Sequence, residues 1–203
     1  MPSWFPAVHN SRCECSHRVF VVASGDTMTY YGAKELAESL RTVRKNTLQI
    51  AEEIPEAQYG FKATPESRSV GELLAHIALG YRFQQEVHAI GRRTTLAGID
   101  FPALVKRLGE EAAQPRTKAQ VIDMLKREGD LWASWLEARS DEFLGERVEF
   151  PGEPPTSKSR FEMLLSTKEH EMHHRGQLML IERILGIVPH LTRERQARMQ
   201  AHR

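Results

Sequence analysis

Three histidines are spaced so that they can act on one object. His170 and His174 lie four residues apart in a segment of helical period, which stacks their imidazoles on one face. That face continues through Ser166 and Thr167 before them and Gln177, Ile181 and Ile184 after them. His76 belongs to a different helical segment, at the centre of an apolar stripe between Leu73 and Leu79, with Phe83 and Val87 beyond it. At about 100° per residue all three point inward. Burying three neutral imidazoles costs free energy unless each finds a partner. Each can be a core histidine with its own hydrogen bond, but one divalent metal ion satisfies all three at once, and we expect His76, His170 and His174 to be its ligands. Gly80, one turn after His76, leaves room beside the site. His173 lies at the edge of the same face, either orienting a ligand or facing solvent. The other five of the nine histidines need no special account: His9, His17, His190 and His202 fall in terminal segments, and His88 on the polar side of its helix.

Other chemistries compete for the same residues. His170-Glu171-Met172-His173-His174 is literally H-E-x-x-H, the zinc-protease helix, in which Glu171 would be the general base. That reading lacks the H-x-x-G-x-x-H continuation, since Gln177 stands where the glycine belongs. A di-iron carboxylate bundle needs two Glu-x-x-His pairs. Glu171 and His174 supply one, but Glu72 is four residues from His76. Three protein ligands leave a position open for water or substrate, as in catalytic sites. A fourth, such as the oddly inward-facing Glu128, would make the metal a structural staple. Cys13-x-Cys15-x-His17 is too short in spacing and in ligands for a structural zinc site.

Four long segments must position the histidines. The first, about 31–53, repeats Leu36, Leu40, Val43, Thr47, Ile50 and Ile54 on one face and ends where Ile54 precedes Pro55. The second, about 69–92, opens with the capping box Ser69-Val70-Gly71-Glu72 and carries Leu73, His76, Leu79, Phe83, Val87 and Ile90 on its apolar face. The third, about 117–139, opens with a second box, Thr117 to Gln120, and lines one side with Val121, Leu125, Trp132, Trp135 and Leu136. The fourth, about 159–185, opens with a third box, Ser159 to Glu162, and stops at Gly186 and Pro189. A short helix is predicted over about 101–111, capped by Asp100. Residues 145–155, rich in Pro and Gly, read as a loop, and strand-like alternation is confined to Val19–Ala23. The fold class is all-α, a four-helix bundle with one longer connection and a short extra helix.

The bulk numbers narrow the function classes. The 203 residues suit one domain, and 28 Lys and Arg against 27 Asp and Glu give a formal charge of +1 with no basic stripe, so nucleic acid is not an expected partner. The longest apolar run is far short of a membrane span. Cys13 and Cys15 are the only cysteines, which excludes a disulfide framework. Residues 1–27 do not read as a secretory signal, so a cytoplasmic location is expected. They read as a disordered leader or as sequence upstream of a true start at Met28. Residues 28–190 form the metal-binding domain, and 191–203 a loose polar tail.

Glu169-His170-Glu171-Met172-His173-His174-Arg175-Gly176-Gln177-Leu178, together with Ser69-Val70-Gly71-Glu72-Leu73-Leu74-Ala75-His76-Ile77 and Gly186-Ile187-Val188-Pro189, resembles the signature of the DinB/YfiT-like metalloprotein superfamily over about 28–190. The resemblance implies a four-helix bundle with a metal, usually zinc or nickel, on His76, His170 and His174, the three that helical phase selects. It also implies a homodimer. Characterised relatives include thiol-dependent transferases and isomerases that use low-molecular-weight thiols. The expected function is therefore a metal-dependent thiol S-transferase or related enzyme acting on a small-molecule substrate. The alternatives are a metal-dependent hydrolase and a non-enzymatic metal-binding or stress-response protein. A second stripe on the fourth helix, Phe161, Leu165, Met172 and Met179, should be covered by a partner chain or by the tail.

Overall fold

The computed structural model describes residues 31–201. The expectations for residues 1–27, for Val19–Ala23 and for Cys13 and Cys15 fall outside that range. Eight helices and one hairpin follow in order: α1 Ala33–Glu53, α2 Val70–Leu79, α3 Arg82–Gln84, α4 Phe101–Ala112, α5 Lys118–Glu137, α6 Asp141–Gly145, β1 Arg147–Phe150, β2 Thr156–Ser159, α7 Arg160–Ile184 and α8 His190–Ala201. Helices α1 and α2 each pack against both α5 and α7. The first two helices therefore face each other across the core, and α4 lies over α2. The core between them includes Ile50, Ile54, Leu73, Leu74, Ile77, Leu125, Leu178 and Ile181.

The local signals place the helix ends. Ser69, Thr117 and Ser159 each accept from the backbone N–H three residues on, at Glu72, Gln120 and Glu162. Asp100 caps α4 through the N–H of Ala103. Ile54 leaves the helical region at ψ 123° before Pro55, and Gly186, at φ +79°, closes α7 in a conformation that a side chain would resist.

Four expectations need correction. The second helix is not continuous to residue 92. It breaks after Leu79, and Gln85–Ile90 form a π-turn. The wider π-turn shifts the helical phase, so His88, expected on the polar side, is 1% exposed, while Ile90, expected in the apolar face, is 67% exposed. The Pro- and Gly-rich loop contains an antiparallel hairpin, Arg147 opposite Ser159 through Phe150 opposite Thr156. Its four-residue strands bury Val148 and pack Phe150 partly against the same cluster, too little alternation for a sequence signal. The expected loose tail is helical, and His190 is buried within it. Polar bonds to the bundle hold this helix: Arg193 pairs with Glu53 at 2.6 Å, and Arg183 donates to Thr192. Finally, Phe161, Leu165 and Met179 of the second stripe pack against the chain's own core. Only Met172, 44% exposed, stands open, so this stripe does not require a partner.

Where α7 meets α8, Glu182 is fully buried and neither carboxylate oxygen has a hydrogen-bond partner. Burial, reinforced by Glu53, pushes its pKa up to about 7. The folded value lies above the unfolded one, so the folded chain holds the extra proton between about 4.5 and 7. Stability is full below that window and declines as pH rises through it. Glu182→Gln should be nearly neutral at pH 4.5 and stabilise the chain by about 1–3 kcal/mol at pH 8, as measured by urea unfolding at both pH values. An equal effect at the two would contradict a buried neutral carboxyl.

Candidate metal centre

The phase of α7 is fixed by a residue between its two histidines. Glu171 points away from them and is 2% exposed. Arg44 of α1 grips its carboxylate at both oxygens, Nε to Oε1 at 2.9 Å and Nη2 to Oε2 at 2.9 Å. Nη1 of Arg44 also donates to the carbonyl of Leu125 on α5. Gly129 makes space for this guanidinium, since a Cβ there would lie 2.7 Å from Nη1. With Glu171 turned towards α1, His170 and His174 turn towards α2, where the cap at Ser69 sets the phase of His76.

The three side chains converge. Nε2 of His170 lies 3.0 Å from Nε2 of His76 and 3.2 Å from Nε2 of His174. Among the described residues they are the one group of three or more possible ligands whose donor atoms gather, all within 4.8 Å of one another. Three corners of a tetrahedral shell with metal–nitrogen bonds of 2.0–2.1 Å stand about 3.3 Å apart, so the spacing fits a small cation. The donor set fits as well. Gln177 accepts from Nδ1 of His174 at 2.8 Å, which leaves a lone pair on its Nε2. The one ring hydrogen available to His170 Nε2 cannot serve both neighbours, whereas a cation takes a lone pair from all three.

Electrostatics keep the imidazoles in the ligating form. Burial, then Arg68 and the two neighbouring rings, push His76 down to about 3. Burial, then His174, His173 and Arg68, push His170 down to about 4. His174 is lowered by burial, with its bond to Gln177 opposing. Metal ligation needs neutral imidazole, and all three are neutral at neutral pH.

Two openings lead to the cluster. A cleft of about 540 Å³ is lined by Ser67, Arg68, Leu73, His174, Gln177 and Leu180, with Glu66 and Ile181 also on its wall. A cavity of about 100 Å³ is bounded by Arg68, His76, Gly80, Val105, Leu108 and His170. Glu128, considered as a fourth ligand, is bound instead by Tyr81 Oη at 2.6 Å and by Arg82 and Arg127. Glu171, the general base of the protease reading, is held by Arg44. Neither belongs to the histidine group. His173 is exposed, yet its ring receives the amide of Gln177 at 3.3 Å, which links it to His174. Sequence reasoning missed Arg44 and Arg68. The signal for Arg44 was a charged residue next to Val43 on the apolar face of α1; Arg68, in a loop, left none.

Two substitutions test this construction. A Cβ on residue 80 would lie 2.6 Å from Nδ1 of His170, so Gly80→Ala should displace that ring and weaken metal affinity about 10–100-fold, read by competition with a chromophoric chelator. Glu171→Ala leaves Arg44 buried without its partner and should cost about 3–5 kcal/mol by chemical denaturation. The double change Arg44→Met, Glu171→Met should recover much of that stability yet weaken metal binding, because apolar contacts do not fix the phase of α7. Unchanged metal affinity in the double variant would show that other contacts set that phase.

The DinB superfamily family model matches residues 39–178. Among solved structures, a DinB-like protein from Bacillus subtilis, YjoA, superposes with a TM-score of 0.55 at 22% identity, covering 75% of this chain and 92% of its own. A DinB-like protein from Bacillus cereus gives 0.59 at 16%, covering 79% and 97%. YfiT from Bacillus subtilis, a four-helix bundle of unusual topology, gives 0.60 at 12%, covering 81% and 94%. No curated protein matches the chain by sequence. With a family match across most of the bundle, and a three-histidine group at its centre that can hold a metal ion, the chain belongs to the DinB superfamily.

Proposed function

We propose that this chain is a metal-dependent enzyme in which His76, His170 and His174 bind one divalent ion, zinc or nickel, and that it transfers a small thiol to an electrophile. The observation that carries the reading is a set of three convergent imidazoles with, among the described residues, no carboxylate ligand in the group, and with two openings that reach it. Such an ion, bound there, would supply Lewis acidity and lower the pKa of a coordinated thiol. The protein's residues do the rest. The three rings hold the ion from one side, Gln177 fixes the tautomer of His174, and Leu73, Leu180 and Ile181 give the larger cleft an apolar wall.

A second reading, hydrolysis with water as the nucleophile, draws on YfiT, which is described as a probable metal-dependent hydrolase. The placement of carboxylates favours the thiol. Water activation calls for a nearby base, yet Glu128 and Glu171 are bound elsewhere, and the carboxylate lining the openings is the exposed Glu66. A thiol ionises near pH 8.5 unaided and needs less help.

Protein purified without a histidine tag should carry about one divalent metal per chain by elemental analysis. His76→Ala, His170→Ala and His174→Ala should each remove most of it, while His173→Ala should not. With a low-molecular-weight thiol, the loaded protein should consume a chloro-dinitroarene faster than the His170→Ala variant does. Full metal retention in His76→Ala would end the cross-helix site. Metal-dependent turnover of an ester or phosphoester, without thiol turnover, would transfer the assignment to the hydrolase.

A further inference from the structure

Arg68 is the residue common to both openings of the histidine group. It lines the 540 Å³ cleft with His174 and the 100 Å³ cavity with His76 and His170. Its side chain is exposed, and among the described residues it has no hydrogen-bond or ion-pair partner. The acids around it are otherwise arranged. Glu72 is held by the backbone N–H of Ser69 at 2.7 Å and faces Lys62 at 3.8 Å; it feels the charge of Arg68 but makes no hydrogen bond to it. Glu66, on the wall of the larger cleft, makes no ion pair with Arg68. Arg68 thus stands as an uncommitted guanidinium at the mouth of a site whose ligands are all neutral.

We propose that Arg68 recognises a carboxylate on the small molecule that binds beside the three histidines, and so selects an anionic thiol over a neutral one. The inference rests on the metal–thiol reading above and deepens it by naming the substrate's charge. A planar guanidinium offers paired N–H donors in a fork that matches a carboxylate. An exposed ion pair alone is weak, but a thiol already tethered through its sulfur presents its carboxylate to Arg68 at high effective concentration. Leu73, Leu180 and Ile181, which line the same cleft as Arg68 and His174, offer apolar surface for the carbon chain between the two ends. The same positive charge reaches all three imidazoles and lowers their proton affinity, which agrees with its place beside them.

The test uses the full chain with Cys13→Ser and Cys15→Ser, loaded with cobalt, and reads the thiolate-to-cobalt charge-transfer band during titration with 3-mercaptopropionate or 3-mercapto-1-propanol. The carboxylate thiol should bind about five- to tenfold more tightly than the alcohol. Arg68→Ala should abolish that preference by weakening the carboxylate thiol about five- to tenfold more than the alcohol, Arg68→Lys should keep part of it, and raised salt should shrink it. If Arg68 acted only through the histidines, Arg68→Ala would shift both thiols by the same factor and keep the preference, which would overturn the proposal. A preference that survives in Arg68→Ala would trace to chelation by the ligand itself and also overturn it. If neither thiol produces a band, the thiol reading fails, and Arg68 is judged separately by calorimetric titration of the zinc-loaded protein with propionate. Binding to the wild-type chain and not to Arg68→Ala supports anion recognition; equal or absent binding in both overturns it.

Discussion

The contact between Arg44 and Glu171 governs the rest of this structure. It joins α1 to α7 through three hydrogen bonds and reaches α5 through the carbonyl of Leu125. Glu171 lies directly beside His170 in sequence, so the rotation that turns its carboxylate to α1 also turns His170 and His174 to α2. A helix is free to roll about its axis when only apolar contacts hold it, because such contacts are non-directional. A buried bidentate ion pair is directional, and losing it leaves a charge stranded in the core. The bundle thereby holds α7 at one angle, and that angle is the one at which three ring nitrogens stand 3.0 and 3.2 Å apart.

The same logic explains why the acids stay out of the metal centre. Glu128 lies 5% exposed on the inner face of α5, near enough to the core to be suspected as a ligand. Tyr81, Arg82 and Arg127 satisfy it on the spot, and Tyr81 also stacks on Trp132 with centroids 4.9 Å apart. Glu171 and Glu128 are thus neutralised by arginines, one against α1 and one against α3. Among the described residues the histidines face each other without an anion between them, and Gly80 lies against them, its missing side chain accommodating His170.

Much of this was legible in the sequence, and the limits of legibility are physical. The capping boxes at Ser69, Thr117 and Ser159 were readable because a side chain and a backbone donor three residues apart meet in only one conformation. His76, His170 and His174 were readable because ideal helical phase holds within α2 and within α7. Phase fails beyond Gly80, where the helix breaks and a π-turn follows, and there His88 and Ile90 were placed on the wrong sides. His88 instead belongs to a buried chain of hydrogen bonds with Gln84 and Arg160. The hairpin and α8 were missed for another reason. Each is held by contacts distant in sequence, such as Val148 against Val87 and Met163 or Arg193 against Glu53. A short window contains neither partner.

The charge balance of the site ties these observations to its chemistry. Carboxylate ligands cancel part of a cation's charge; imidazoles do not. A divalent ion on His76, His170 and His174 would keep its full charge, with Arg68 adding another positive group at the entrance. Among the described residues no carboxylate joins the group, so on the proposed reading such a centre would lack a base of its own and prefer anions. It favours a nucleophile that arrives nearly ionised and stays charged when bound, and it discriminates against one that must surrender a proton to a neighbouring carboxylate. On the proposed reading, the arginines that sequester Glu171 and Glu128 would serve the selectivity as well as the fold. Were either acid released towards the histidines, the centre would gain a base and lose net positive charge, and the balance would tilt from thiol to water.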